Sequence, residues 1–509
     1  MNNAGAVMDR KKKLALNTGA ALIYQVVTLI CGFVLPQFVI PHFGSTTNGL
    51  INSVTQFLTI ITLCECGIGA VVQSALYKPL AERDNEGISK VVVSSKRFFG
   101  NVMKILCVYV VALMIVYPFI VKSDFDYFYT ASLIFIIALS YVAQYYLFLT
   151  YRLLLNADQL SFVQLTAHSA ALILNTVASI VLIKLGASVH IVKLASALAF
   201  LVQPLAIKLY VDRHYKLDLK CRPEKNALPQ KWNGLAQHVA SVVQQNVATV
   251  TLTLFATLKD VSIYSVYYLI THGVRQIIVS LNTGMQAMLG NMYAKKETET
   301  LNQTYSTIEL FFHTVVTLVF VVTGILLIPF IRIYTANFTD AEYVLPLFGA
   351  LMAVSQALYC IRIPYDMMIK VAGHYKQTQH AYIIEAVVCA VLSCLLVWKF
   401  GVIGVAIGLL VPMIYRTIYL AWYLSKNIIC RKFRIFAKHV LVDVLCAILM
   451  IAATCWIKLS AITYLSWIVM AIQVGVICLT ICLMVNFIFY RKALIRAARF
   501  FFRRKKGAA

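Results

Sequence analysis

Charge is what this sequence has least of. Asp, Glu, Lys and Arg make up 13% of its 509 residues, about half the usual share of a soluble protein. Acids are the scarcer kind, 20 against 45 bases. A soluble fold of this size with so little charge is excluded. No glycine is followed by lysine, so the chain has no phosphate-binding loop of the ATPase kind. Any transport would draw on an ion gradient, the membrane potential or the gradient of the cargo itself. No serine–histidine elbow is present, and no cofactor is implied. Cys64-Glu65-Cys66 is the nearest approach to a metal motif, but no His or further Cys stands at ligand spacing. No metal site is expected. The 13 cysteines lie mostly inside apolar runs, Cys31, Cys107, Cys389, Cys446 and Cys478 among them. They read as small buried hydrophobes and not as a disulfide framework.

What the chain has instead is apolar length. It is 61% hydrophobic, with a mean hydropathy of +0.80. Runs of about 20 apolar residues or more recur throughout, each long enough to cross about 30 Å of hydrocarbon. The fold class predicted is an all-α integral membrane protein. The pattern gives fourteen spans: 14–40, 48–76, 98–121, 128–151, 161–184, 188–211, 232–257, 261–290, 307–331, 342–368, 377–398, 402–425, 435–457 and 461–489. The first follows Arg10, Lys11, Lys12 and Lys13 and is too long for a signal-peptide core, so it is expected to be retained.

The net charge of +25 could suggest nucleic acid. The placement of the bases points to a bilayer and to no nucleic acid. One set of alternate loops carries the N-terminal bases, then Lys78, Arg83, Lys90, Lys96 and Arg97, Arg152, the bases of 208–231, Lys295 and Lys296, Lys370 and Lys376. It continues with Lys426, Arg431, Lys432, Arg434 and Lys438, and the basic tail from Arg491 onward. The other set holds only Lys122, Lys184, Lys259, Arg332, Lys399 and Lys458. Both termini are therefore expected on the cytoplasmic side. The outer loops are short and leave no room for an external domain.

The segment 212–231 is the longest polar stretch between apolar runs, and Pro223 and Pro229 stand against a helix there. On its two sides the chain repeats itself. Residues 73–99 align without gaps on 286–312. Gln73 matches Gln286, Leu76 Leu289, Ala81 Ala294, Glu86 Glu299, and Phe98 and Phe99 match Phe311 and Phe312. Further on, Gln164, Ala171, Lys184 and Gly186 return as Gln379, Ala386, Lys399 and Gly401. Two runs at nearly one spacing indicate a duplicated half. Six spans precede the hinge, so both halves enter from one side. That makes a parallel repeat with its pseudo-two-fold axis along the membrane normal. The expected division is an N-terminal lobe over 1–211, a basic cytoplasmic linker over 212–231, a C-terminal lobe over 232–425, and two extra spans with a tail over 426–509.

Polar residues form stripes on a few spans. Asn52, Thr55, Thr59, Thr62, Cys66, Gly69 and Gln73 step along one face of span 2. The repeat-related positions of span 8 are Ser265, Tyr268, His272, Arg275, Val279, Asn282 and Gln286. Span 7 adds His238, Ser241, Gln245 and Thr249; span 1 adds Asn17, Gln25 and Thr28. Interhelical hydrogen bonding accounts for such stripes in one reading; a water-filled cleft between the lobes accounts for them in the other. The candidate cavity residues are Arg275, Glu65, His272, Asn282, Gln286, Gln245, Tyr268 and Gln25. Arg275 sits mid-span, where a charge must face protein or water, and its planar fork suits phosphate. Glu65 is expected near its depth, either as a competing carboxylate or as half of a structural ion pair. Arg362, Asp366, Glu385 and Arg416 lie near the cytoplasmic ends of spans 10 to 12. Snorkelling and mutual pairing explain them; a cytoplasmic gate is the alternative. His168, His313 and His380 read as hydrogen-bonded helix residues.

With these features in place, the chain resembles the multidrug/oligosaccharidyl-lipid/polysaccharide exporter superfamily. Within it the likeness is to the bacterial polysaccharide-transporter branch. The stretches that carry it are ALYKPLAERDN after span 2, LLLNADQLSFVQ after span 4, GHYKQTQHAYIIEA into span 11 and KFGVIGVAIGLLVPMIYR into span 12. The resemblance implies two lobes that alternate access to a central cavity. It implies flipping of an undecaprenyl-diphosphate-linked oligosaccharide across the bacterial inner membrane for O-antigen or capsule assembly, beside polymerase and chain-length proteins. Peptidoglycan-precursor relatives line the cavity with arginines of spans 1, 2 and 8; here only Arg275 matches. The competing readings are a cation-coupled multidrug exporter of the same superfamily and a membrane glycan polymerase or ligase. The latter needs catalytic residues on outer loops that are too short to supply them.

Overall fold

The computed structural model describes residues 10–61, 68–121, 125–144, 149–219, 221 and 235–503. Among these the chain is helical, with no strand. The helices are α1 (Arg10–Thr59), α2 (Ile68–Glu82), α3 (Asn85–Ile120), α4 (Tyr127–Ala143), α5 (Leu149–Ala157), α6 (Ser161–Lys184), α7 (Val189–His214) and α8 (Leu235–Phe255). They continue as α9 (Leu258–Ser280), α10 (Asn282–Ala294), α11 (Thr298–Tyr334), α12 (Pro346–Ile361), α13 (Ile363–Val371), α14 (Tyr375–Asn427), α15 (Arg434–Thr454) and α16 (Tyr464–Arg503). Nine segments among the described residues are long and apolar enough to cross a membrane. Side chains such as Leu441, Leu465 and Ile488 are 70% exposed or more, which suits a hydrocarbon solvent and not water. This is a multi-pass membrane protein.

The helices fall on the fourteen expected spans once the breaks are counted. Gly44 (φ 84) divides α1 into two rods, and Gly401 (φ 54) divides α14. Both need the left-handed region, where glycine has no Cβ to clash. Span 4 covers α4 and the first residues of α5, span 8 covers α9 and most of α10, and span 10 covers α12 and most of α13. Span 2 runs from the second rod of α1 towards α2, and residues 62–67, which carry Thr62 and Cys66 of its polar stripe, lie outside the described residues. The hydroxyls of Thr55 and Thr59 bond back to the Ile51 and Thr55 carbonyls, a self-satisfied arrangement.

The duplication is visible in the backbone. Arg83 (φ 56) and Lys296 (φ 59), at repeat-related positions, both have positive φ. Gln159 (φ 60) is matched by Gly373 (φ 75), and Gly186 (φ 76) by Gly401. The surrounding hydrogen bonds repeat as well. The amide of Asp84 donates to the Pro79 carbonyl at 2.9 Å, and that of Glu297 to Met292 at 3.1 Å. Leu160 donates to Leu155 at 2.8 Å and His374 to Ile369 at 3.1 Å. Each is the six-residue closure that ends a helix around a left-handed residue.

By internal contact the chain divides into Met1–Ser262 and Ile263–Ala509. The boundary lies beyond 212–231, most of which falls outside the described residues, because α8 is tied to α1. Ser53 and Thr253 share a hydrogen bond at 2.7 Å, Tyr117 donates to Ser53 at 2.6 Å, and Asn48 donates to Ser262 at 2.7 Å. A Cβ on Gly49 would overlap the Leu258 carbonyl. The first unit packs Leu50, Val54, Leu58, Leu76, Leu106 and Leu154 at its centre. The second packs Tyr305, Phe312 and Val316 of α11 against Tyr365, Met368 and Leu420. Its α15 and α16 join α11 through Leu326, Cys446, Met450, Val474 and Cys478. The cysteines are buried at 360, 389, 446, 478 and 482, as expected of small hydrophobes, but Cys107 and Cys455 are exposed.

Candidate functional site

The site is built on α9. One face of this helix is buried: Val266, Tyr267, Thr271 and Ile278 lie against the second unit's core. Tyr267 fixes the rotation of that face by donating to the Tyr343 carbonyl at 2.7 Å. A neighbouring face carries Ser265, Tyr268, His272, Arg275 and Val279, all half-buried, and continues through Asn282 and Gln286 of α10. The break at Leu281 is a single residue in helical conformation, so the stripe runs on from α9 into α10. Five of the eight candidate cavity residues therefore share one face of the second unit.

Stacking orders this face. Tyr264 and Tyr268 have ring centroids 5.6 Å apart, and Tyr268 and His272 4.8 Å apart. Arg275 donates to the Tyr268 hydroxyl at 3.5 Å, the outer limit of a hydrogen bond. Its guanidinium lies over the Tyr359 ring of α12, 4.4 Å from the centroid. Asn282 Oδ1 is buried without a hydrogen-bond partner.

Behind Tyr359 lies a buried ion network. Arg362, at the break between α12 and α13, donates to Glu385 of α14 at 2.7 Å. Arg416, on the second rod of α14, also bonds Glu385, approaches Asp366 at 3.5 Å, and lies 3.4 Å above the Tyr382 ring. Lys370 pairs with Asp366 at 2.6 Å, and the Tyr382 hydroxyl donates to the same carboxylate. The four residues expected to pair do pair. Snorkelling plays no part for Arg362, Glu385 and Arg416, which are 4%, 2% and 5% exposed. Both carboxylates are matched by three cations inside the network. Arg275 stands outside it and pairs with no carboxylate among the described residues.

The sequence matches no family model and no curated protein. Solved structures do match. Lipid II flippase MurJ, in an inward closed conformation, superposes with a TM-score of 0.72 at 15% identity, over 94% of this chain and 100% of that one. An inward-facing multidrug resistance MATE family transporter of the MOP superfamily gives 0.60 at 17%, over 81% and 98%. The eukaryotic MATE transporter AtDTX14 gives 0.59 at 14%, over 85% and 98%. The chain has the fold of the MOP superfamily.

In this MOP fold the remaining candidates belong to the first unit. Gln25 is half-buried on α1. Gln245 is exposed on α8 and donates to Ser241 at 3.1 Å. The span 7 stripe does not stay wet: Thr249, one turn on, is buried. Glu65 and Thr62 lie outside the described residues, as do Cys64 and Cys66, so the expected register of Glu65 with Arg275 falls outside them too. His168 and His380 pack edge-on against Tyr24 and Tyr419, at 5.1 Å each.

Sequence reasoning missed Tyr359, Lys370 and Tyr382. Lys370 stands four residues after Asp366 and Tyr382 three before Glu385, both legible helical spacings. It also missed a second buried cluster. Glu309 of α11 accepts two bonds from Arg431, one of them at 2.5 Å, and has His439 Nε2 at 3.8 Å. His313, one turn from Glu309, bridges Asp443 at 2.5 Å and the Tyr365 hydroxyl at 2.8 Å. No sequence signal links Glu309 to Arg431, since they lie 122 positions apart.

Proposed function

We propose that this protein is a transporter and not an enzyme, and that it flips an undecaprenyl-diphosphate-linked oligosaccharide across the bacterial inner membrane for surface polysaccharide assembly. The observation that carries this reading is Arg275. It is half-buried at mid-span, and the neighbouring carboxylates are already matched by Arg362, Arg416 and Lys370. A site with surplus positive charge favours an anionic headgroup and repels a cation. The guanidinium fork meets a phosphoryl group with paired donors. His272, Tyr268, Asn282 and Gln286 supply stacking faces and neutral hydrogen-bonding groups beside it, as a sugar headgroup requires. Export by alternating access, cytoplasmic termini, and polymerase and chain-length proteins as partners belong to the same proposal.

A cation-coupled multidrug exporter is the second reading, favoured by the likeness to MATE transporters. It needs a site for a coupling cation, which the surplus positive charge around Arg275 disfavours there. The test is flipping of defined lipid-linked oligosaccharides in proteoliposomes. Wild type should flip them, Arg275→Ala should not, and Arg275→Lys should recover only part of the rate, since an ammonium keeps the charge without the fork. Full flipping by a correctly folded Arg275→Ala protein ends the proposal.

A further inference from the structure

Tyr359 lies three residues before the α12–α13 break and has two arginines against one ring. The Arg275 guanidinium carbon is 4.4 Å from its centroid and that of Arg362 is 4.9 Å. Arg362 cannot meet a ligand in this arrangement, because it is 4% exposed and bonded to Glu385. Arg275 can, because it is half-buried and has no carboxylate.

The ring does two things for Arg275. A cation over a ring interacts through the ring's negative face, and the guanidinium keeps its in-plane N–H donors for an acceptor. The side chain loses rotamer freedom before any ligand arrives, while its donors stay unspent apart from the long bond to the Tyr268 hydroxyl. The ring also holds two like charges near each other. Their repulsion is relieved when an anion reaches Arg275, so the clamp favours multiply charged oxyanions over neutral ligands.

We propose that Tyr359 is the positioning residue of the anion site: its ring presents the Arg275 fork to a phosphoryl group and ties that fork to Arg362 at the α12–α13 break. This rests on the reading of Arg275 as the anion site. The ligand class is a phosphate or diphosphate.

Calorimetric titration of the purified full chain with inorganic pyrophosphate separates the two claims. Wild type should bind, and Arg275→Ala should weaken binding tenfold or more. Tyr359→Phe, which keeps the ring, should stay within about twofold of wild type. Tyr359→Leu should weaken binding about fivefold, the worth of one partly exposed cation–π contact. In the Arg275→Ala background Tyr359→Leu should add nothing, since coupled residues are not additive. A general packing role would give the same loss in both backgrounds, and that result overturns the positioning role; so does wild-type affinity in Tyr359→Leu. If Tyr359→Leu does not fold, Tyr359→Trp replaces it. Indole is the better cation–π partner, so binding should tighten, and unchanged or weaker binding overturns the proposal. Wild-type binding by Arg275→Ala sinks the anion-site reading itself. No binding by wild type sinks both.

Discussion

Glu385 shows how much rests on single side chains in the second unit. It is 2% exposed and takes both Arg362 and Arg416. Removing one partner of a buried pair leaves uncompensated charge, at a cost of about 3–5 kcal/mol. Glu385→Gln strands the Arg362 guanidinium and leaves Arg416 only its longer contact with Asp366. It should lower the thermal midpoint of purified protein sharply, with a loss of about 3 kcal/mol or more. Arg275→Ala should leave that midpoint nearly unchanged, because Arg275 closes no ion pair. Equal loss in both variants would place Arg275 in the structural network and remove the ground for calling it a ligand site. The sequence revealed Arg362, Asp366, Glu385 and Arg416 by their place inside apolar spans, but not Lys370. It could not reveal Tyr359, because a ring between two arginines on different helices leaves no spacing to count. Nor could it reveal the Glu309–Arg431 pair, whose partners meet only after α11, α14 and α15 have packed.

At the scale of elements, the helix ends were less legible than the helices. The spacing of apolar residues placed every span, and 161–184 coincides with α6 end for end. Breaks inside spans were missed, because a chain can stay apolar through a kink. Gly186 and Gly401, matched in the repeat, both have positive φ and fall between expected spans and not inside one. The same comparison yields a prediction. Gln159 adopts the left-handed conformation in which its repeat mate is Gly373; its amide donates to the Asn156 carbonyl within the turn and its carbonyl accepts from the Asn17 side chain, bonds that a glycine backbone can also make. A non-glycine residue there is strained by about 1–2 kcal/mol, part of which is offset by the extra freedom glycine has when unfolded. Gln159→Gly should therefore stabilise the protein by about 0.5–1 kcal/mol, read as a raised midpoint. Gly373→Gln should do the opposite, and opposite signs in the two variants are the check on the mirrored turn. The rods of α14 give a stronger case. Their close approach runs through Gly404 and Gly408, where a Cβ on Gly408 would come 2.7 Å from Ser393 Cα. Small residues four apart let helices touch backbone to backbone. Gly408→Leu should push the rods apart, disrupt the Glu385–Arg416 pair, and abolish accumulation of folded protein. Normal yield and melting would show that the rods do not need this contact.

For the whole molecule, the fold was legible and the orientation is still a prediction. Apolar length alone distinguished a polytopic helical protein from every soluble class. Substrate identity is not written at this scale, since one fold carries different cargoes. Orientation rests on charge. Lys122, Lys184, Lys259, Arg332, Lys399 and Lys458 stand in one set of alternate loops against a much larger number of bases in the other. Basic loops stay on the cytoplasmic side because moving them across the membrane is opposed. An even span number puts the N-terminal bases and the basic tail on that same side. Single cysteines test this, in a background cleared of exposed Cys107, Cys430 and Cys455. A cysteine placed at Lys259 or Lys399 should react in whole cells with a reagent that does not cross the membrane. One at Lys296 or Lys432 should react only after the cells are opened. The α14 break makes the pair around Gly401 the most informative, since Lys399 and Lys432 flank a single rod. Protection at Lys399 with labelling at Lys432 in intact cells would invert the protein. Labelling of both from outside would mean that the second rod of α14 does not cross, and the fourteen-span count would fall with it.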